Sequence, residues 1–396
     1  MKILVGCSSP PDRGSGILSY SKEIAEAFLE QGVEVHFSSP EPENNEWLLS
    51  TGIAFYKTTQ DDIPKDAATR LLTYIDSRGI DAVVNNDNSL LQSIAPALRC
   101  PFISIGHLGQ TSIAALACYR HEWTDYVVSI SNDMQKTYVE KFGVPVLKCP
   151  VIYNGISDLG LEEMNQGVKS AGLRLFFDGG FNKLKGGKHL LKAVLMDAHR
   201  WKGISLDWYG GVPADVARKI EALPHVTVHG RVPRDELLRA LQRADVLLFP
   251  SRVEGCPMAI LEAMSMGVPA IVSDGIGAMR VLVTSGREGY VCYLNNWAEQ
   301  MMVCAEYLRD NPISLSEMKE AARSSYLENY TSTRVARDLL GLIGRPTVDR
   351  SKPLEQFEVL KWHRPLRPDG LKSPFIYRIC YRLEYLRKAG LVEYKR

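Results

Sequence analysis

Twice along this 396-residue chain, short apolar runs rich in β-branched and aromatic residues alternate with stretches of helical periodicity. A strand–helix–strand repeat of that kind imposes parallel pairing, because each crossover helix carries the chain back before the next strand starts. The first round runs through 3–6, a helix over 19–31, 33–38, a helix over 67–77, 82–84, 102–105 and 126–129. The second runs through 173–177, a helix over 188–197, 205–209, 226–229, a helix over 234–243, 246–249, a helix over 258–266 and 270–273. These strands are apolar on both faces, as expected where helices cover a sheet on either side. The expectation is an α/β chain of two doubly wound domains. They occupy 1–157 and 172–345, joined by a polar linker over 158–171 and followed by a basic helical tail over 346–396.

Charge narrows the partners. The net charge of +1 exerts no general pull on nucleic acid or anionic lipid, so any such attraction must be local. The basic excess sits in the tail, where eleven Lys and Arg face five acids from residue 351 onward. Ile376, Ile379, Cys380, Leu383 and Leu386 recur there at helical spacing, with Arg378, Arg382, Arg387 and Lys388 on the other flanks. The plain expectation is a final helix packed back across the domains; peripheral contact with a membrane surface or an anionic acceptor is the alternative. The eight cysteines include no Cys-x-x-Cys pair, so reduced thiols and a cytoplasmic chain are expected, with Met1 leading straight into the first strand. No segment has the run of about 18 uncharged apolar residues that a membrane span needs.

Open parallel sheets bind ligands beyond the carboxyl ends of their strands, so chemistry is expected in the segments that follow them. After the first strand comes Pro10-Pro11-Asp12-Arg13-Gly14-Ser15-Gly16 and then a helix, an arrangement that lets backbone approach a phosphate at Gly14 and Gly16 or simply makes a turn. A dinucleotide site would also need an acid at the end of the second strand, but Val35-His36-Phe37-Ser38-Ser39-Pro40 has none, which argues against an NAD-dependent oxidoreductase. The most informative stretch is Pro250-Ser251-Arg252-Val253-Glu254-Gly255-Cys256-Pro257-Met258-Ala259-Ile260-Leu261-Glu262-Ala263-Met264. It puts Glu254 in a turn and Glu262 about one turn into a helix. A carboxylate there can accept two ribose hydroxyls while the helix N-terminus faces a diphosphate. Two surface glutamates of an amphipathic helix would give the same spacing.

That segment resembles the family 4 retaining glycosyltransferases of the GT-B fold. So do Gly230-Arg231-Val232-Pro233, Arg243-Ala244-Asp245, Ser273-Asp274-Gly275, and, upstream, Ser129-Ile130-Ser131 and Val151-Ile152-Tyr153-Asn154-Gly155-Ile156. The resemblance implies two Rossmann-like domains facing across a cleft and transfer of a sugar from a nucleotide diphosphate sugar, more often UDP- than GDP-linked, with anomeric configuration retained. It implies that Glu262 holds the ribose and Glu254 the donor sugar. The backbone of Gly255, Cys256, Pro257 and Met258 would hold the phosphates, with Arg231 also on the nucleotide side. Gly16 would approach the diphosphate from the other domain, and Lys185, in a Lys-Gly step, would neutralise charge on the leaving group. His107, after the strand over 102–105, falls where the family places a histidine near the reacting carbon. Its neighbours Gln110 and Thr111, and Asn86, Asp87 and Asn88 after an earlier strand, are acceptor-side candidates, although loop polarity alone would explain them.

The family's arginine before the lysine is missing. The chain reads Asp178-Gly179-Gly180-Phe181-Asn182-Lys183-Leu184-Lys185, and Lys183 is the expected second cation. It is a point charge without the guanidinium fork. No Asp-x-Asp occurs, so neither metal nor cofactor is expected beyond the nucleotide sugar itself. The acceptor is left open between a glycan, a lipid-linked glycan and a small molecule, in polysaccharide or other glycan biosynthesis. A GT-B glycoside phosphorylase, a sugar-nucleotide epimerase and a non-catalytic nucleotide-sugar-binding partner are the alternatives.

Overall fold

The computed structural model describes residues 1–9, 16–40, 45–58, 64–107, 111–160, 172–344, 348, 350, 352–356 and 359. They form two compact units. In the first, β1 (Lys2–Cys7), β2 (Glu34–Ser39), β3 (Ala54–Lys57), β4 (Ala82–Asn86), β5 (Phe102–Gly106) and β6 (Tyr126–Ser129) make one parallel sheet in the order β3-β2-β1-β4-β5-β6. In the second, β7 (Leu173–Phe177), β8 (Ile204–Tyr209), β9 (Val226–Gly230), β10 (Val246–Phe249), β11 (Ala270–Ser273) and β12 (Gly289–Cys292) repeat the plan in the order β12-β11-β10-β7-β8-β9. Each sheet therefore reverses its winding once, between β1 and β4 and between β7 and β10. At such switch points the loops diverge and leave a crevice.

The strands at the switch points, β1, β4, β7 and β10, are buried apart from Lys2 and Arg174. Leu4, Val83 and Phe102 pack with Leu71, Leu91 and Ile94 in the first unit, and Leu175, Leu206 and Val246 with Trp208 and Trp297 in the second. The helix Gly16–Glu30 turns Leu18, Tyr20, Ile24, Ala25 and Phe28 inward, the spacing that gives a helix one apolar face. Two strands escaped the sequence reading. β3 and β12 are four-residue edge strands; no residue of β3 is buried, and β12 buries only its two end residues.

The expected boundary at 345 is displaced. Thr331 closes the second unit, and the chain from Ser332 to Val359, where described, belongs to the first. The amide of Ser332 donates to the carbonyl of Ile156 (2.8 Å), and Gln31 Nε2 donates to the carbonyl of Thr333 (3.2 Å), so the helix Ser332–Ile343 is tied beside Gly16–Glu30. Further along, Arg350 is buried in an ion pair with Asp125 and donates to the carbonyl of Cys100 (2.7 Å), while Val359 enters the first core. The amphipathic stretch 376–388 lies outside the described residues. Among those described, no helix is long and apolar enough to cross a membrane.

Candidate functional site

The second unit gathers its polar residues where β7 and β10 end. After β7 the chain runs through two glycines into a turn in which Asn182 Oδ1 accepts from the amides of Leu184 (2.8 Å) and Lys185 (3.2 Å). Gly186 then caps the helix Gly187–Val194 in the left-handed region at φ 80°. A side chain there would overlap the carbonyl of Pro250, which explains the Lys-Gly step: glycine alone lets this loop lie against the end of β10. The two loops are stitched further by Arg252, whose amide donates to the carbonyl of Leu184 (2.8 Å).

This stitching brings Lys185 Nζ to 2.7 Å from Glu254 Oε1. The Ser251 hydroxyl donates to the same oxygen (2.5 Å). Glu254 is mostly buried, and its turn is held from the far side, where its amide donates to the carbonyl of Ile276 (2.9 Å) and the Ala278 amide donates to that of Gly255 (2.9 Å). Gly255 and Cys256 lead to Pro257, the N-cap of the helix Met258–Ser265, whose own side chain makes no capping hydrogen bond. Glu262 sits in the second turn with its side chain only 7% exposed, and Arg234 Nη2 lies 2.6 Å from its Oε1. Each glutamate is thus already matched to a cation. A third acid, Asp178, is pushed up to about 6 by burial first and by the charge of Glu262 next, while Lys185 pulls it down.

Beside these groups lies a cavity of about 500 Å³ walled by the loops after β7, β8 and β9: Gly179 and Gly180, Gly210 and Gly211, then Arg231 and Val232. Gly180, at φ 56°, packs its backbone on Gly210 and Gly211, so the wall there is bare main chain. Lys183 is half-buried in the same loop and makes no ion pair among the described residues. Of the expected donor-side residues, Lys185, Glu254, Gly255, Cys256, Pro257, Met258 and Glu262 therefore cluster, with Arg231 on the cavity wall. Arg234, Ser251 and Asp178 were missed. Arg234 carries no motif signal, whereas the Asp-Gly-Gly after a strand could have marked the cavity.

In the first unit, His107 follows β5 and is buried; Nε2 pairs with Asn86 Oδ1 at 2.9 Å, and the ring meets Tyr20 edge-on at 4.9 Å. Burial pushes its pKa down to about 3, so the imidazole is neutral near pH 7 and donates to the Asn86 oxygen. Gly106 beside it has no room for a side chain, because the Tyr138 phenol occupies that space. Asn88 has a different duty, accepting from the amides of Leu90 (3.1 Å) and Leu91 (3.2 Å) as a helix cap. Gly16 opens the first helix with clear space around it, while Gly14 and Gln110 fall outside the described residues. Among the described residues no group of three or more His, Cys, Asp and Glu is placed to hold a metal ion.

Residues 172–325 match the family profile for glycosyl transferases group 1, and residues 14–158 match that for glycosyltransferase family 4. The fold is of the GT-B type, and both profile matches are to glycosyltransferase families, one over each half of the chain. It resembles the glycogen synthase of Mycobacterium tuberculosis, 26% identical over 222 residues, which are 54% of this chain and 52% of that one. It also resembles the D-inositol 3-phosphate glycosyltransferase of an Arthrobacter species, 29% identical over 168 residues, 39% of each. The chain thus spans about half the length of the curated relatives it matches, or less. The fold is shared with Anabaena HepE in complex with UDP, with a TM-score of 0.72 at 15% identity over 87% of this chain and 100% of that one. Profiles and fold agree on the same two halves of this GT-B chain, and the cluster around Glu254 and Glu262 lies in the group 1 half.

Proposed function

We propose that this protein is a retaining hexosyltransferase that moves a sugar from a nucleotide diphosphate sugar, UDP-linked before GDP-linked, to an acceptor hydroxyl in glycan or polysaccharide biosynthesis. The observation that carries the reading is the Lys185–Glu254 contact at 2.7 Å beside buried Glu262, at the switch point of the second sheet. On this reading the base enters the glycine-walled cavity against Arg231, and the ribose hydroxyls take over Glu262 from Arg234. The diphosphate then lies at the start of the Met258 helix, where the helix dipole favours negative charge. Glu254 accepts from hydroxyls of the donor sugar. Lys185 faces charge that develops on the departing phosphate, a preorganised electrostatic role.

The C1–O bond to the diphosphate breaks, a C1–O bond to the acceptor oxygen forms on the same face, and the hydroxyl proton goes to the departing phosphate oxygen. Lysine, arginine and helix dipole supply the positive charge, so the reading assigns no metal. Same-face attack, the place of His107 near the reacting carbon and the approach of Gly16 come from the family resemblance. UDP is favoured because HepE and the pneumococcal O-GlcNAc transferase GtfA are both seen with UDP. The protein is placed in the cytoplasm, with a glycan, a lipid-linked glycan or a small molecule as acceptor.

Thermal unfolding with UDP, GDP and their sugars tests the donor. A ligand at a hundred times its Kd adds about 2.7 kcal/mol of stability. One nucleotide should raise Tm clearly above the others, and no response to any of them would end the proposal.

A further inference from the structure

Four consecutive polar residues, Asn85 to Asn88, are buried at the carboxyl end of β4, and three of them have duties within the fold. Asn85 Nδ2 donates to Gln92 Oε1 (2.9 Å) and its Oδ1 accepts from the Asn88 amide (3.0 Å). Asn86 fixes His107, and Asn88 caps a helix. Asp87 has no such task. The residue is 7% exposed, both carboxyl oxygens are buried, and neither has a hydrogen-bond partner among the described residues. Its backbone stands at φ 59°, in the region that glycine tolerates and other residues rarely adopt.

Both features cost stability, and no hydrogen bond among the described residues offsets the burial of the carboxyl group. Asn86 Nδ2 and the Tyr138 hydroxyl are also buried without partners among the described residues. The cluster lies at the β1/β4 switch point of the first sheet, next to the histidine that the resemblance singled out. Burial keeps the Asp87 carboxyl protonated, with its pKa pushed up to about 8, and a carboxylic acid both donates and accepts. A saccharide or polyol hydroxyl does the same.

We propose that Asp87 is the residue that receives and orients the attacking hydroxyl of a saccharide or polyol acceptor, with the Asn86 amide and the Tyr138 hydroxyl completing the contact. This rests on the glycosyltransferase reading and adds an acceptor-side residue to it. Asp87 takes no net proton, which still leaves on the diphosphate oxygen.

The test compares wild type with Asp87→Asn and Asp87→Gly in the full chain. Three quantities are measured: Tm at pH 7, UDP and GDP affinity by calorimetry, and nucleotide release from UDP-glucose and GDP-mannose, with water or methyl α-D-glucoside as acceptor. The expected result is at least a hundredfold loss of release, nucleotide affinity within twofold, and Tm unchanged or raised, most in Asp87→Gly, which also relieves the backbone. Release that survives in both variants overturns the proposal. So does a Tm lowered by several degrees in both, because Asp87 would then be a scaffold residue. A wild type that binds neither nucleotide defeats the glycosyltransferase reading instead, and the Tm comparison still separates scaffold from site.

Discussion

Gly186→Ala probes the joint that sets the donor-side cluster. At φ 80° an alanine pays for the left-handed conformation, roughly 1–2 kcal/mol. Its Cβ would also lie 2.7 Å from both the carbonyl carbon and the Cβ of Pro250, so backbone has to move. Overlap of that kind adds about 1–3 kcal/mol, which brings the loss to roughly 2–5 kcal/mol. For a unit of this size that lowers Tm by roughly 4–20 °C. The displacement would also reach function, because Pro250 precedes Ser251, whose hydroxyl holds Glu254, and Gly186 follows Lys185. Calorimetric unfolding, followed by UDP titration at a temperature where the variant remains folded, should show both losses. Gly16→Ala, at a position with open space, is the control and should leave Tm nearly unchanged. A Gly186→Ala protein within 2 °C of wild type would refute the reasoning.

Glu262→Ala should weaken UDP binding by roughly ten- to a hundredfold, the worth of hydrogen bonds to a charged group, and unchanged affinity in calorimetry would remove Glu262 from the ribose. His107→Ala should lower turnover more than donor affinity, as steady-state kinetics beside equilibrium binding would reveal; equal losses would contradict its place near the reacting carbon. Stability should respond to pH through the first unit. The raised Asp87 pKa, about 8, means the folded chain keeps a proton that the unfolded chain has released, so stability falls as pH climbs towards 8. The lowered His107 pKa, about 3, acts oppositely up to the ordinary histidine value near 6.5. Between pH 6.5 and 8 Asp87 acts alone of the two, at about 1.4 kcal/mol per pH unit, and Tm should decline over that window in wild type but not in Asp87→Asn. A parallel decline in the variant would assign the effect elsewhere.

The doubly wound fold was legible because buried parallel strands write continuous apolar runs, as in β1, β4 and β10. β3 and β12 were not, although 53–56 and 290–294 are apolar, because each strand is only four residues long and lies at a sheet edge. The helix Ser332–Ile343 shows another limit: Val335, Ala336, Leu339 and Ile343 mark an apolar stripe, yet a stripe does not say which core it will join. Glu254 and Glu262 were legible from one local segment, and Lys185 joined them through a glycine whose need became visible only in contact with Pro250. Arg234 was invisible because its meeting with Glu262 depends on tertiary structure 28 residues apart in sequence. The Asn85–Asn88 run looked uniform as sequence; packing divided it into an anchor, a histidine clamp, an idle acid and a helix cap.

A crystal of the protein grown with UDP puts the account at greatest risk. Ribose hydroxyls should lie on Glu262 with Arg234 displaced, the base in the glycine-walled cavity beside Arg231, and the phosphates at the start of the Met258 helix within reach of Lys185. Nucleotide bound elsewhere, or Glu262 still held by Arg234 in a saturated crystal, would contradict it.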